Sequence, residues 1–112
     1  MAEALNLQSN FIQSDATTCL NGIDFVVTLS DLNPSDIYTL KIEEVSNSGE
    51  TNETSVISPS EVTIPASQTV TNTTSTFNIK LQGNVSTIFN AKLFRNGSII
   101  TGLTEQFSID CG

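Results

Sequence analysis

The sequence predicts an all-β domain in which two sheets pack face to face. Apolar and polar residues alternate in several short runs, and clusters of Asn, Gly, Pro and Ser separate these runs at intervals of roughly 10 to 15 residues. Thr favours strands, Ser and Asn favour turns, and Ser and Thr together make up about a quarter of the 112 residues. No window shows an amphipathic helix of useful length. The length fits a single domain spanning residues 1–112.

The charge balance excludes two classes of partner. Twelve acidic residues against four basic ones give a formal net charge of −8, which repels nucleic acid and anionic membranes. No run approaches the roughly 18 apolar residues of a membrane span. The first residues lack the basic and apolar parts of a secretory signal, so a signal was either removed or never present. We therefore expect neither nucleic-acid binding nor membrane insertion.

Catalysis is not expected either. The chain has no histidine, so it cannot form a Ser-His-Asp or Cys-His arrangement. Glu43 and Glu44 are adjacent on a predicted strand and point to opposite faces, so they cannot share a proton. The loop from Asp31 to Asp36 is rich in oxygen ligands but matches no calcium motif, and turn residues that bond their own backbone explain it better. We predict a non-enzymatic protein without metal or cofactor.

The first half of the chain contains three predicted strands. Alternating apolar residues place them over residues 5–11, 23–29 and 38–42. The turn DLNPSD separates the second strand from the third, because Pro34 fixes φ and the acidic side chains can bond local backbone. A polar loop, VSNSGETNET, follows the third strand.

The middle of the chain predicts a change of sheet. Residues 56–57 and 62–64 are short edge strands, interrupted by prolines that discourage edge-to-edge pairing. The next strand covers residues 77–81, and Gly83-Asn84 then reverses the chain. A tight hairpin there would place the apolar side chains of residues 89–93 on the opposite face of the sheet from those of residues 77–81. The chain is therefore expected to cross to the second sheet.

Asn96-Gly97 predicts a type I′ hairpin between residues 88–95 and 98–101. In this register Leu93 pairs with Ile100 on the inner face. Beyond this point the apolar residues are odd-numbered, whereas the inward Ile100 is even-numbered. The inward-facing positions must therefore shift by one residue, and a bulge at Gly102 would cause that shift.

The hairpin tip is the candidate partner-binding site. The register pairs Phe94 with Ile99 on the outer face. An apolar pair beside the guanidinium of Arg95 has the chemistry of an anchor for a protein partner. The alternative is that a neighbouring loop covers the pair.

Cys19 and Cys111 lie 92 positions apart, and without a CxxC pair or a histidine they cannot form a zinc site. A disulfide or two buried thiols remain. In a sandwich of successive antiparallel strands the second strand begins at the end where the seventh finishes, which favours a disulfide between them. The chain-entropy model assigns such a bridge about 4 to 5 kcal/mol.

About seven antiparallel strands in this length are typical of an immunoglobulin-like or fibronectin-like sandwich. The chain departs from antibody domains, since it has no Trp and no central cysteine pair, and Tyr38 is in the wrong strand for a tyrosine corner.

The composition and the segment LFRNGSII before the final strand resemble the immunoglobulin-like modules of tailed-phage virions. The resemblance covers the whole chain in character and carries no specific motif, so no functional residue transfers from it. It implies a structural or accessory protein of the virion, such as a capsid decoration, tail or fibre component. Its partner would be a capsid, tail or other virion protein or a second copy, with weak contact to the host surface.

The alternative is an immunoglobulin-like spacer or adhesin module of a bacterial surface protein, located outside the cell or on its surface. The two cysteines favour this alternative. The initial Met and the end at Cys111-Gly112 favour a complete small protein instead.

Overall fold

The chain folds into two packed β-sheets and one short helix. The computed structural model describes residues 3–47, 55–66, 71–82 and 85–112. The predicted reversal at Gly83-Asn84 and most of the predicted loop VSNSGETNET lie outside the described residues. The elements, in chain order, are β1 (Ala4–Leu7), β2 (Phe11–Gln13), α1 (Ala16–Asn21), β3 (Ile23–Ser30), β4 (Tyr38–Asn47), β5 (Val56–Ser58), β6 (Glu61–Ile64), β7 (Thr73–Lys80), β8 (Ser86–Arg95), β9 (Ser98–Ile99) and β10 (Glu105–Asp110).

Sheet I has the strand order β1-β3-β7-β5, and sheet II has the order β2-β10-β8-β4-β6, with β9 also paired to β8. Neighbouring strands are antiparallel except β2 and β10, which are parallel. Because β7 lies in sheet I and β8 in sheet II, the predicted crossing between sheets is confirmed. The all-β, two-sheet prediction is confirmed with it.

The described strands occupy seven positions of a sandwich. Three positions are each shared by two short strands. β1 and β2 divide one position between the two sheets, β5 and β6 divide another, and β9 and β10 follow each other along β8. The prediction of about seven strands therefore describes the positions, and the divided ones account for the larger number of segments.

The predicted first strand is wrong in one respect, because it does not continue to Phe11. β1 ends at Leu7, and the chain crosses from β3 to β10 before β2 begins. Because β2 belongs to the other sheet, its odd-numbered residues face outward, whereas the odd-numbered Leu5 of β1 faces the core. Leu5 is therefore buried, whereas Phe11 is 50% exposed on the outer side of sheet II.

The core lies between the sheets and receives alternating residues from both. The ring of Phe107 stacks on Phe25 across the sandwich with centroids 4.0 Å apart, and it contacts Phe89 at 5.1 Å. The buried apolar residues that surround these rings are Leu5, Cys19, Val27, Leu29, Leu32, Tyr38, Leu40, Ile42, Phe77, Ile79, Leu81, Val85, Ala91, Leu93, Ile109 and Cys111.

α1 is a six-residue helix that places one cysteine for the disulfide. Asp15 caps it by accepting a hydrogen bond from the Thr18 backbone N–H at 2.7 Å. Gly22 ends it at φ 111°, where a Cβ would lie 2.5 Å from the Asn78 side chain. No amphipathic repeat fits in six residues, so periodicity gave no sign of this helix. No helix in the described part of the chain is long and apolar enough to cross a membrane.

The predicted disulfide is confirmed. Cys19 in α1 and Cys111 after β10 are bonded, with their Cα atoms 6.2 Å apart, and both side chains are buried. The two segments are also tied to the strands beside them, because the Leu81 N–H donates to the Cys19 carbonyl and the Cys111 N–H to the Val85 carbonyl.

The hairpin after β8 has the predicted register. Asn96 and Gly97 have φ values of 51° and 86°, as a type I′ turn requires. The Ile100 N–H donates to the Leu93 carbonyl at 2.9 Å. The change of parity occurs in a turn rather than in a bulge: Gly102 has φ 88°, and the Leu103 N–H donates to the Ile100 carbonyl.

Candidate functional site

The tip of β8 presents an apolar pair on the outer face of sheet II. Phe94 pairs with Ile99 on one side and with Thr39 of β4 on the other. Their neighbour Leu93 is fully buried, so alternation directs Phe94 and Ile99 away from the core. Ile99 is 47% exposed and Phe94 is half-buried. No described loop covers the pair completely.

Ile37 extends this apolar area and was not identified from the sequence. The Asn96 N–H donates to the Ile37 carbonyl at 2.7 Å, which continues the β4–β8 pairing one residue past Tyr38. Tyr38 points inward, so its neighbour Ile37 points outward, and it is 49% exposed. We call Ile37, Phe94 and Ile99 the tip patch. The Lys41 ammonium borders it, 5.2 Å from the centroid of the Phe94 ring.

Arg95 does not join the tip patch. Its cross-strand partner is the inward-facing Tyr38, so its side chain leaves the sheet on the opposite side from Phe94. The guanidinium Nη1 donates to Glu3 Oε2 at 2.7 Å, and the Tyr38 hydroxyl donates to the same oxygen at 2.7 Å. The expectation that the guanidinium lies beside the apolar pair is therefore not met.

These three side chains form a polar cluster at one end of the core. Burial alone would raise the pKa of the Glu3 carboxyl, but the hydrogen bonds from Tyr38 and Arg95 outweigh burial and lower it. Burial raises the pKa of the Tyr38 hydroxyl, and the Glu3 charge adds to that effect. The cluster ties the start of β1 to the ends of β4 and β8, so its role is to close the sandwich.

We expect Glu3→Gln to lower the free energy of unfolding at pH 7 by about 1 to 2 kcal/mol, because neutral Gln loses the ion pair and the charge-assisted hydrogen bonds. Folding lowers the pKa of the Glu3 carboxyl. At pH values between its folded and unfolded pKa, the unfolded chain therefore binds more protons than the folded protein. The stabilisation is therefore complete at neutral pH, begins to fall near the ordinary Glu pKa and is lost as the pH falls through the lowered pKa of Glu3. Urea unfolding at pH 7 and pH 3 measures the difference.

Glu61→Gln is the matched control, since its contact with Lys41 is 3.9 Å long and exposed. Its effect should stay within about 0.5 kcal/mol at both pH values. Equal effects of Glu3→Gln at pH 7 and pH 3 would contradict the assigned role of the Glu3 charge.

An open hollow of about 470 Å³ lies beside this cluster, lined by Glu3, Asp31, Leu32, Asn33, Thr71 and Arg95. Glu3 and Arg95 neutralise each other there. Among the described residues, no group of three or more His, Cys, Asp or Glu side chains is placed to hold a metal ion.

The loop between β3 and β4 bonds to itself and to the hairpin, as the sequence interpretation favoured over calcium binding. The Asn33 side-chain oxygen accepts hydrogen bonds from the Ser35 backbone and hydroxyl. The Asn96 amide donates to Asp36 Oδ1 at 3.0 Å and accepts from the Ile37 N–H at 2.9 Å. Asn96 thus supplies both the turn geometry and the attachment of the loop.

The adjacent carboxylates Glu43 and Glu44 lie on opposite faces, as predicted. Glu43 points outward and accepts a hydrogen bond from the Lys92 ammonium at 3.2 Å. Glu44 accepts hydrogen bonds from the backbone and hydroxyl of Ser55. The two carboxyl groups are therefore separately engaged.

The fold defines the class of protein, which is an immunoglobulin-like β-sandwich. The chain is similar to the periplasmic chaperone SfaE, with TM-score 0.62 and 14% identity, over 95% of this chain and 55% of the chaperone. It is also similar to WR4, a C. elegans MSP family member, with TM-score 0.56 and 12% identity, over 96% of this chain and 97% of WR4.

A third similar structure is the ASH/PapD-like domain 7 of human CEP192, with TM-score 0.51 and 7% identity, over 96% of this chain and 84% of that domain. Such identities show a shared fold. The chain spans about half the length of the SfaE chaperone. No family model matches the sequence, and no curated protein matches it.

Proposed function

We propose that this protein is a non-enzymatic interaction module that acts as a structural or accessory component of a virion, on a capsid, tail or fibre. It docks through the tip patch onto a protein of the virion, either a capsid, tail or other virion protein or a second copy of itself. The observation that carries this proposal is that two of the six exposed large apolar residues of the described chain, Ile37 and Ile99, lie beside Phe94 on the outer face of one sheet.

Three features support an interaction role outside the reducing cytosol. The disulfide is typical of proteins that work in oxidising surroundings. The similar structures include a chaperone and a PapD-like domain. Two hydrogen bonds of the Asn96 side chain join the hairpin of the tip patch to the loop before β4. A preorganised apolar patch loses little conformational entropy on binding.

We assign Phe94 and Ile99, together with Ile37, to the contact. Arg95 was the third residue expected there. Because Glu3 engages its guanidinium on the other side of the sheet, we assign Arg95 to the polar cluster at the end of the core.

The second candidate function is a spacer or adhesin module of a bacterial surface protein. The buried disulfide favours it, since it suits a module exposed outside the cell. Sedimentation of a native-source lysate through a density gradient, with the 12.0 kDa chain followed by mass spectrometry, separates the two functions. Co-migration with a megadalton particle supports the virion role. Recovery in the cell envelope or as free protein overturns it.

We expect Phe94→Ser combined with Ile99→Ser to remove the chain from the particle fraction while the protein stays folded, because both side chains lie outside the core. Near-UV circular dichroism and the urea midpoint check folding. Val56→Ser is the matched control, since Val56 is 56% exposed on the edge strand of sheet I. Unchanged co-migration of the double variant would show that the tip patch is not the contact.

A further inference from the structure

The outer face of sheet II has two apolar rows. Cross-strand partners share a face, so Phe94 and Ile99 form one row with Thr39. Six residues further back along β8, Ile88 lies in a second row with Ser108, and Ser108 pairs with Phe11 of β2. Phe11 is 50% exposed and Ile88 is half-buried.

Two polar rows lie between the apolar ones and bring opposite charges together. Lys41 and Lys92 are cross-strand partners, and Glu61 of β6 pairs with Lys41 in the same row. In the next row Glu43 pairs with Asn90. Along β4 the outward sequence is therefore Thr39, Lys41, Glu43 and Ser46, with a bulge before Ser46.

This face carries little of the protein's charge. Lys41 and Lys92 balance Glu43 and Glu61, and Asp110, which pairs with Ser86 in the row beyond Ile88, leaves the face with one net negative charge. The other nine acidic and two basic residues carry the remaining seven of the eight net negative charges. Two copies therefore repel each other least when they approach through this face.

We propose that two copies of this chain pack through the outer faces of sheet II, around a two-fold axis perpendicular to the strands that passes between the two polar rows. Such an axis places each row of one copy over a row of the other copy. The two rows lie at the same distance from the axis, on opposite sides of it. Lys41 then meets the partner's Glu43, and Phe94 meets the partner's Ile88. Both contacts occur twice, as an isologous interface requires. The pattern apolar, charged, polar, apolar is thus complementary to itself.

This inference rests on the proposed docking role of the tip patch and names its occupant as a second copy. Strand spacing and rise make the four rows about 20 Å by 20 Å, so two such faces bury on the order of 800 Å² of flat area. That is below the roughly 1,200 Å² of stable specific interfaces and in the range of weak, transient ones. The dimer is therefore weak in free solution and is strengthened where a particle or surface holds copies close together.

A charge-swap experiment tests the two-fold arrangement. Sedimentation equilibrium of the purified chain at concentrations up to about 0.5 mM should show a mass rising from 12.0 kDa toward twice that value. Lys41→Glu and Glu43→Lys, each alone, place like charges opposite each other at both symmetric contacts and should weaken association at least about tenfold. An equimolar mixture of the two variants should associate again, because each heterodimer restores two opposite pairs.

Lys80→Glu is the matched control, because it changes the charge equally but lies in β7 of sheet I, and it should weaken association far less. Wild-type association should also strengthen when salt is raised from about 20 to 150 mM, because salt screens the repulsion between two chains of charge −8. Failure of the mixture to associate, or a monomer throughout, overturns the dimer.

The gradient experiment distinguishes this failure from failure of the proposed function. A monomeric chain that still co-migrates with a particle shows that the tip patch docks onto a different protein. A dimer that is absent from any particle overturns the virion role and leaves the self-association standing.

Discussion

Replacing Cys19 and Cys111 together by Ala is expected to lower the free energy of unfolding by about 4 to 5 kcal/mol. The disulfide joins positions 92 apart, so in the unfolded chain it closes a loop that contains most of the sequence. Opening that loop gives the unfolded state more conformational entropy, and the gain grows with loop length. Unfolding by guanidinium chloride, followed by far-UV circular dichroism, measures the loss.

Reduction of the wild-type protein provides the internal comparison. A reductant should lower the unfolding midpoint of the wild type to near that of the double-Ala variant and leave the variant unchanged. A loss below about 1 kcal/mol would mean that the unfolded chain keeps these segments together without the bond, against the chain-entropy account.

Phe107→Ala is expected to cost about 3 to 5 kcal/mol, because Phe107 is 1% exposed and its ring joins the two sheets. It stacks on Phe25 of sheet I at 4.0 Å and contacts Phe89 of sheet II at 5.1 Å. Removing the ring leaves a cavity at the centre of the core that the rigid strands cannot close. Urea unfolding at low protein concentration gives the change in free energy.

Phe11→Ala is the control for this prediction, since Phe11 is half exposed and pairs with Ser108, next to Phe107 in β10. It should cost less than about 1 kcal/mol. Similar losses for the two substitutions would contradict the placement of Phe11 on the outer face and Phe107 in the centre.

The features that could be predicted from the sequence are those that local rules determine. Alternation identified the inward residues of β8, and the mismatch between their parity and that of β7 required the change of sheet that the structure has. Asn96-Gly97 determined the register of Phe94 with Ile99, because few other residues take two successive positive φ values. Strand order then brought the two cysteines to the same end of the sandwich.

The features that could not be predicted depend on contacts between distant segments. Glu3 gave no signal near the start of the chain, and it meets Arg95 only because β1 and β8 end at the same place. Phe11 continues the alternation of Leu5 and Leu7, and only the crossing between sheets turns it outward. Ile37 precedes the regular part of β4, so its place in the tip patch depends on the bond from Asn96.

The position of the disulfide determines how the protein carries mechanical load. A force applied to the two ends of the chain passes from Cys19 to Cys111 through the covalent bond. The strands from β3 to β10 lie between the two cysteines and therefore carry none of that force. Only β1, β2 and the segment before Cys19 can be drawn out, which lengthens the molecule by at most about 60 Å. Force on the two ends would then detach these first strands while most of the sandwich, including the tip patch, stays folded.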